Sequence, residues 1–93
     1  MRTLPKIKVC GLTREEDVKL TLSLGADYFG FILYSQSPRA VSLDRAVELA
    51  AAVPVGQRVA VDVATSLEDL KSYSDAGFDY FQSHFGADFE HSN

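Results

Sequence analysis

Three side chains in this sequence could move a proton or grip an anion where the chain changes structure. Cys10 ends the run Lys6-Ile7-Lys8-Val9-Cys10, directly before Gly11. A thiol acts as a base in its thiolate form, which neighbouring positive charge or a helix N-terminus favours. Arg39 closes Ser37-Pro38-Arg39, and its guanidinium can hold a carboxylate with two parallel N–H donors. His84 follows Gln82-Ser83. Each also has an ordinary reading. Free cysteine is among the most buried residue types, loop arginines are usually solvated, and a strand-end histidine is more often structural than catalytic. Asp62 is a fourth unusual residue, set between Val61 and Val63 in an apolar run. A carboxylate in a core needs a partner or stays protonated at a cost of several kcal/mol, on the order of that for any buried charge.

The elements that must position these residues alternate in type. Lys6 to Cys10 reads as a first strand. Thr13 and Glu16 have capping-box spacing, which predicts a helix from about Arg14 to Leu24, closed by Gly25. Asp17 to Leu24 alternates polar and apolar, a strand signal. Val18/Leu22 and Leu20/Leu24 are also i,i+4 pairs, and with the cap and the glycine they favour helix. Tyr28 to Tyr34 is an almost unbroken apolar run, as in strands covered on both faces. A loop from Ser35 to Arg39 follows. Ser42 caps a predicted helix from Leu43 to Val53, and Arg58 to Val63 is a third strand. Ser66 caps a third helix to about Ala76, Gly77 ends it, and Asp79 to Phe85 is a fourth strand. Gly25-Ala26-Asp27-Tyr28-Phe29 is echoed by Gly77-Phe78-Asp79-Tyr80-Phe81, two strand–helix units later. Repeated alternation implies an α/β fold, its strands parallel and in the order 1-2-3-4.

Composition narrows the classes. Of 93 residues, 46% are hydrophobic, enough for one core. The net charge of −4, with Lys and Arg scattered singly, argues against a nucleic-acid partner. No apolar run reaches the roughly 18 residues of a membrane span, and the N-terminus lacks a signal-peptide stretch. A single cysteine excludes an internal disulfide and metal sites built on several cysteines. A cytoplasmic location is the expectation. No linker divides residues 1–93, so one domain is expected.

Val9-Cys10-Gly11-Leu12-Thr13 after the first strand resembles the opening signature of the phosphoribosylanthranilate isomerase family. Gly25 to Phe31, Ser37-Pro38-Arg39, and Gln82 with His84 resemble that family's next motifs, in order. Phe85 intrudes before Gly86, Ser83 replaces a usual leucine, and Asp62 stands where the family commonly has phenylalanine. The resemblance implies half of a parallel (β/α)8 TIM-type barrel, about four strands and three helices, since a whole barrel takes about 250 residues. It implies an Amadori rearrangement of N-phosphoribosylanthranilate in tryptophan biosynthesis, with no cofactor and no metal. An acid opens the ribose ring, and a base removes a proton from the neighbouring sugar carbon. By resemblance Cys10 is the base, Arg39 holds the anthranilate carboxylate and His84 contacts substrate. The family's acid and phosphate loops belong to the second half of its barrel, so these residues alone are expected to be inactive.

Two further expectations follow from a half-barrel. Its outer strands would present open edges, and an apolar inner face, from residues such as Val9, Phe31 and Val61, would lack its opposing half. The chain is therefore expected either to pair as a homodimer, as a non-catalytic assembly module, or to complement a C-terminal half. Asp62 fits two explanations: an alignment to the family that is off by one residue, or a strand face that is wet because the barrel is not closed.

Overall fold

The apolar run Tyr28–Ile32 forms the most deeply buried strand, β2, with Phe29 and Phe31 fully enclosed. β1 (Lys8–Cys10) pairs with it on one side and β3 (Arg58–Asp62) on the other, and β4 (Tyr80–Ser83) pairs with β3. All three pairings are parallel, and the order is β1-β2-β3-β4. Helices α1 (Glu15–Ser23), α2 (Leu43–Ala50) and α3 (Leu67–Asp75) are the crossovers. The structure, a computed structural model, describes residues 5–63 and 66–83.

Residues 17–23 are helical despite their alternating polarity. Val18 is buried and Leu22 packs on the core, while Leu20 and Leu24 stay exposed. Gly25 and Gly77, with φ of 84° and 103°, end α1 and α3 as expected. Ser42 and Ser66 cap α2 and α3 by accepting from the N–H groups of Arg45 and Asp69 at 3.1 and 3.2 Å. The expected cap of α1 is different. Arg14 is the N-cap and no side chain accepts there, because the helix starts one residue late for Thr13 to reach it. Instead Arg14 donates to Asp17 at 3.1 Å.

The sequence echo has a physical basis. Asp27 accepts from the backbone N–H of Ile7 at 2.8 Å, clamping the approach to β1. Asp79 accepts from the N–H groups of Gly56 and Arg58 at 2.7 and 3.1 Å, doing the same for β3. Each aspartate precedes an even-numbered strand and fastens the odd-numbered strand before it.

The sheet has two different faces. Phe29, Phe31, Ala60 and, in part, Val9 and Leu33 pack with α-helical residues such as Val18, Leu49 and Ala46 into the main core. The opposite face, turned away from the helices, holds Ile32, Val59 and Val61 with Cys10, Tyr28 and Tyr34 against them. Val9 and Phe31 therefore do not belong to the inward face, contrary to expectation. Side chains alternate along a strand, so placing Cys10 inward sends Val9 outward.

The same alternation settles Asp62. Val61 points inward, so Asp62 points to the helices, where it accepts from the hydroxyl of Tyr73 at 2.5 Å and from the N–H of Val63 at 2.8 Å. Burial and this bond to Asp62 push the Tyr73 phenol well above its ordinary range. Tyr73 also stacks on Phe81, ring centroids 6.2 Å apart. Ser83, the register partner of Asp62, is 8% exposed, so it does not mark a wet face. Among the described residues its buried hydroxyl has no hydrogen-bond partner.

Candidate active site

Cys10 sits at the C-terminal end of β1, half-buried on the inward face. Its register partner is Gly30, where a Cβ would lie 3.2 Å from the Cys10 Sγ and 3.3 Å from its Cα. Glycine leaves the room into which the thiol leans. A glycine inside an otherwise apolar strand often marks such a close approach.

Beyond Cys10 the chain turns at Gly11, whose φ of 84° suits glycine alone among common residues. The carbonyl of Gly30 accepts from the N–H groups of Gly11 and Leu12 at 3.1 and 3.3 Å, tying this loop to the neighbouring strand. The turn brings a second chemical group in. A Cβ on Gly11 would fall 2.7 Å from Nη1 and 2.8 Å from Cζ of Arg39. The guanidinium thus lies against the backbone of the residue next to Cys10.

Arg39 reaches that place through a well-tied loop. The Ser37 hydroxyl accepts from the Arg39 N–H at 3.1 Å, and the Ser37 carbonyl accepts from the Ala40 N–H at 3.1 Å. The Val41 N–H returns to the Ile32 carbonyl at 2.9 Å, where β2 ends. Among the described residues no carboxylate pairs with the Arg39 side chain; the ion pairs there belong to Arg14 and Arg45. An exposed guanidinium seated on the residue after a thiol is chemically able to hold an anionic group. The first turn of α1 holds Glu15, Glu16 and Asp17. Their charges offset the helix dipole at that end.

Arg39, far from Cys10 in sequence, is therefore brought against Gly11, the residue next to it. His84, the third residue singled out, lies outside the described residues. Among the described residues no group of three metal-ligating side chains exists, and no helix is long and apolar enough to cross a membrane. Reading the sequence missed Gly30 as the seat of the thiol and Gly11 as the seat of the guanidinium.

A parallel β/α sheet with thiol and guanidinium at the C-terminal ends of its strands defines the class: the architecture of a β/α barrel, whose sites form at that end. Residues 7–92 match the model of the N-(5'-phosphoribosyl)anthranilate (PRA) isomerase family, and the chain belongs to that family. The N-(5'-phosphoribosyl)anthranilate isomerase of Rubrobacter xylanophilus is 43% identical over 83 residues, which are 87% of this chain and 40% of that protein. The phosphoribosyl anthranilate isomerase structure from Thermotoga maritima superposes with a TM-score of 0.80 at 28% identity, covering 90% of this chain and 42% of that one. A phosphoribosyl anthranilate isomerase complexed with reduced 1-(o-carboxyphenylamino)-1-deoxyribulose 5-phosphate gives the same TM-score and identity, over 90% and 44%. The chain thus spans less than half the length of these relatives, and its four strands are half of a TIM-type barrel.

Proposed function

We propose that residues 1–93 form a single half-barrel domain supplying the base and the carboxylate-binding group of a phosphoribosylanthranilate isomerase. Cys10 is the base and Arg39 the carboxylate ligand, with His84 a further substrate contact. The observation that carries this reading is the seat of the Arg39 guanidinium on Gly11, next to Cys10. The ligand bound by the family member above has a carboxyphenyl group joined through nitrogen to a sugar phosphate. A carboxylate held at Arg39 would turn the attached amino-sugar towards the inward face, where the Cys10 thiolate can take the proton from the sugar carbon next to the one bearing nitrogen. That step follows opening of the sugar ring to a C=N⁺ iminium. The C–H pair becomes a C=C bond while the C=N pair returns to nitrogen, and the resulting enol becomes the ketone as the nitrogen-bearing carbon takes up a proton. No cofactor enters this scheme, and a cytoplasmic, substrate-only setting suits it.

Protonating the ring oxygen and holding the phosphate need groups from strands facing these four. As a 93-residue polypeptide the chain therefore binds the aromatic carboxylate weakly and does not turn substrate over. Anthranilate, bound through one guanidinium and an open face, is expected near millimolar, where the whole binding energy is about 4 kcal/mol. Titration of the labelled chain, followed by NMR, should shift Cys10 and Arg39 together. Saturating ligand with neither residue shifted would remove the site assignment.

A further inference from the structure

We infer that Tyr34 is a positioning residue of this site, whose ring packs against the aromatic ring of a bound aminobenzoate. The inference deepens the reading above and rests on it. Tyr34 stands two residues beyond Ile32, the last residue of β2, at the C-terminal end of the sheet. It owes that place to the strand it follows, whatever covers the sheet, and sites of β/α barrels form at that end. Its neighbour Leu33 packs into the main core. Tyr34 packs instead on the inward cluster of Ile32, Val59 and Val61, as Cys10 does. Tyr28 also faces inward, at the start of β2, but its ring is engaged edge to face with Tyr80 at 5.4 Å. Among the described residues Tyr34 pairs with no other ring, and its hydroxyl makes no hydrogen bond.

The backbone on both sides of this ring is fixed. The Leu33 N–H donates to the Val61 carbonyl at 2.7 Å, holding the residue before Tyr34 to β3. The Tyr34 carbonyl accepts from the Ser37 N–H at 3.0 Å, and the Ser37 hydroxyl accepts from the Arg39 N–H at 3.1 Å. One hydrogen-bonded loop therefore carries both the ring and the guanidinium and sets the spacing of their backbones. A ring held in advance loses little freedom on binding. In an aminobenzoate the carboxylate is a substituent of the aromatic ring, so a carboxylate held at Arg39 brings that ring with it. Turned inward, towards the side of the sheet that Cys10 occupies, the ring meets the face on which Tyr34 stands. Offset or edge-to-face ring pairs are favourable beyond the area they bury. An aliphatic carboxylate would have the guanidinium without this second contact.

The test titrates the labelled chain with anthranilate and records intermolecular NOEs from the ligand ring, beside titrations of Tyr34→Ala and Tyr34→Phe. NOEs between the ring protons of anthranilate and those of Tyr34 are expected. Tyr34→Ala should weaken binding about two- to tenfold, the range of an aromatic pair, and Tyr34→Phe should stay within about twofold of the parent. Amide spectra of the variants should match the parent away from residue 34; if that of Tyr34→Ala does not, the NOEs and Tyr34→Phe decide. Shifts at Cys10 and Arg39 without an NOE to Tyr34 would overturn the inference and leave the reading of the site standing. A folded Tyr34→Ala that binds as the parent does would do the same. Equal losses in Tyr34→Phe and Tyr34→Ala would overturn it too, placing the contact at the hydroxyl. No shift at either Cys10 or Arg39 with saturating anthranilate would overturn the reading of the site, and this inference with it.

Discussion

Gly11 and Gly25 offer a matched pair of perturbations. Both have a φ of 84°, so alanine at either must adopt the left-handed region. That costs about 1–2 kcal/mol for a residue with a Cβ. For a domain of this size each kcal/mol lowers the melting midpoint by about 4–8 °C. At Gly25 nothing lies within 4 Å of the new methyl, so strain is the whole effect. At Gly11 the methyl would sit 2.7–3.0 Å from three guanidinium atoms of Arg39. Those atoms end a flexible side chain, so Arg39 swings aside rather than breaking the fold. The two alanine variants should lose similar stability in thermal melts, but only Gly11→Ala should displace Arg39. A charge-assisted hydrogen bond is worth about 1.5–3 kcal/mol, so Gly11→Ala should weaken anthranilate binding about tenfold or more. Gly25→Ala should bind as the parent does. NMR titration following the Arg39 side-chain N–H resolves the two cases. Equal anthranilate binding by both variants would refute the placement of Arg39 over Gly11.

Other consequences are local. Asp79→Ala should cost about 1–3 kcal/mol in urea unfolding, because it leaves two backbone N–H groups unpaired; Asp27→Ala, losing one such bond, should cost less. Ser42→Ala and Ser66→Ala should each cost about 1 kcal/mol by loss of an N-cap, and Thr13→Ala clearly less, since Thr13 caps nothing. The phenol of Tyr73 is raised by burial and by Asp62, so its folded state favours the protonated form. That stabilisation is full below the ordinary tyrosine value of about 10 and is lost as pH rises above it. Tyr73→Phe should remove this alkaline loss in urea unfolding at successive pH values, and should lower stability at neutral pH.

Most of the fold was legible because the local signals agreed. Gly25, Gly77, Ser42 and Ser66 mark helix ends through backbone geometry and capping that need no distant partner. The alternating segment from Asp17 to Leu24 was decided by its flanks, and its two exposed leucines, Leu20 and Leu24, explain the competing strand pattern. What the sequence did not reveal depended on strand parity or on contacts across the chain. Val61 is inward as expected, but Val9 and Phe31 were placed on the wrong face, and Asp62 looked like a carboxylate in the barrel core. Its true partner, Tyr73, sits on the next helix. Cys10 and Arg39 stood out by residue type and motif, but Gly11 and Gly30, against which they lie, act through tertiary approach alone.

Isomerase activity of a complemented barrel tests the central claim most directly. The chain is mixed with the C-terminal half of the Rubrobacter xylanophilus relative, and conversion of N-phosphoribosylanthranilate is followed by its fluorescence. Activity should appear only in the mixture and fall at least 100-fold with Cys10→Ser, since a positioned general base contributes about 10²–10⁴ in rate. Turnover by the 93-residue chain alone, or a complemented barrel indifferent to Cys10→Ser, would contradict the assignment of this half-barrel and its base.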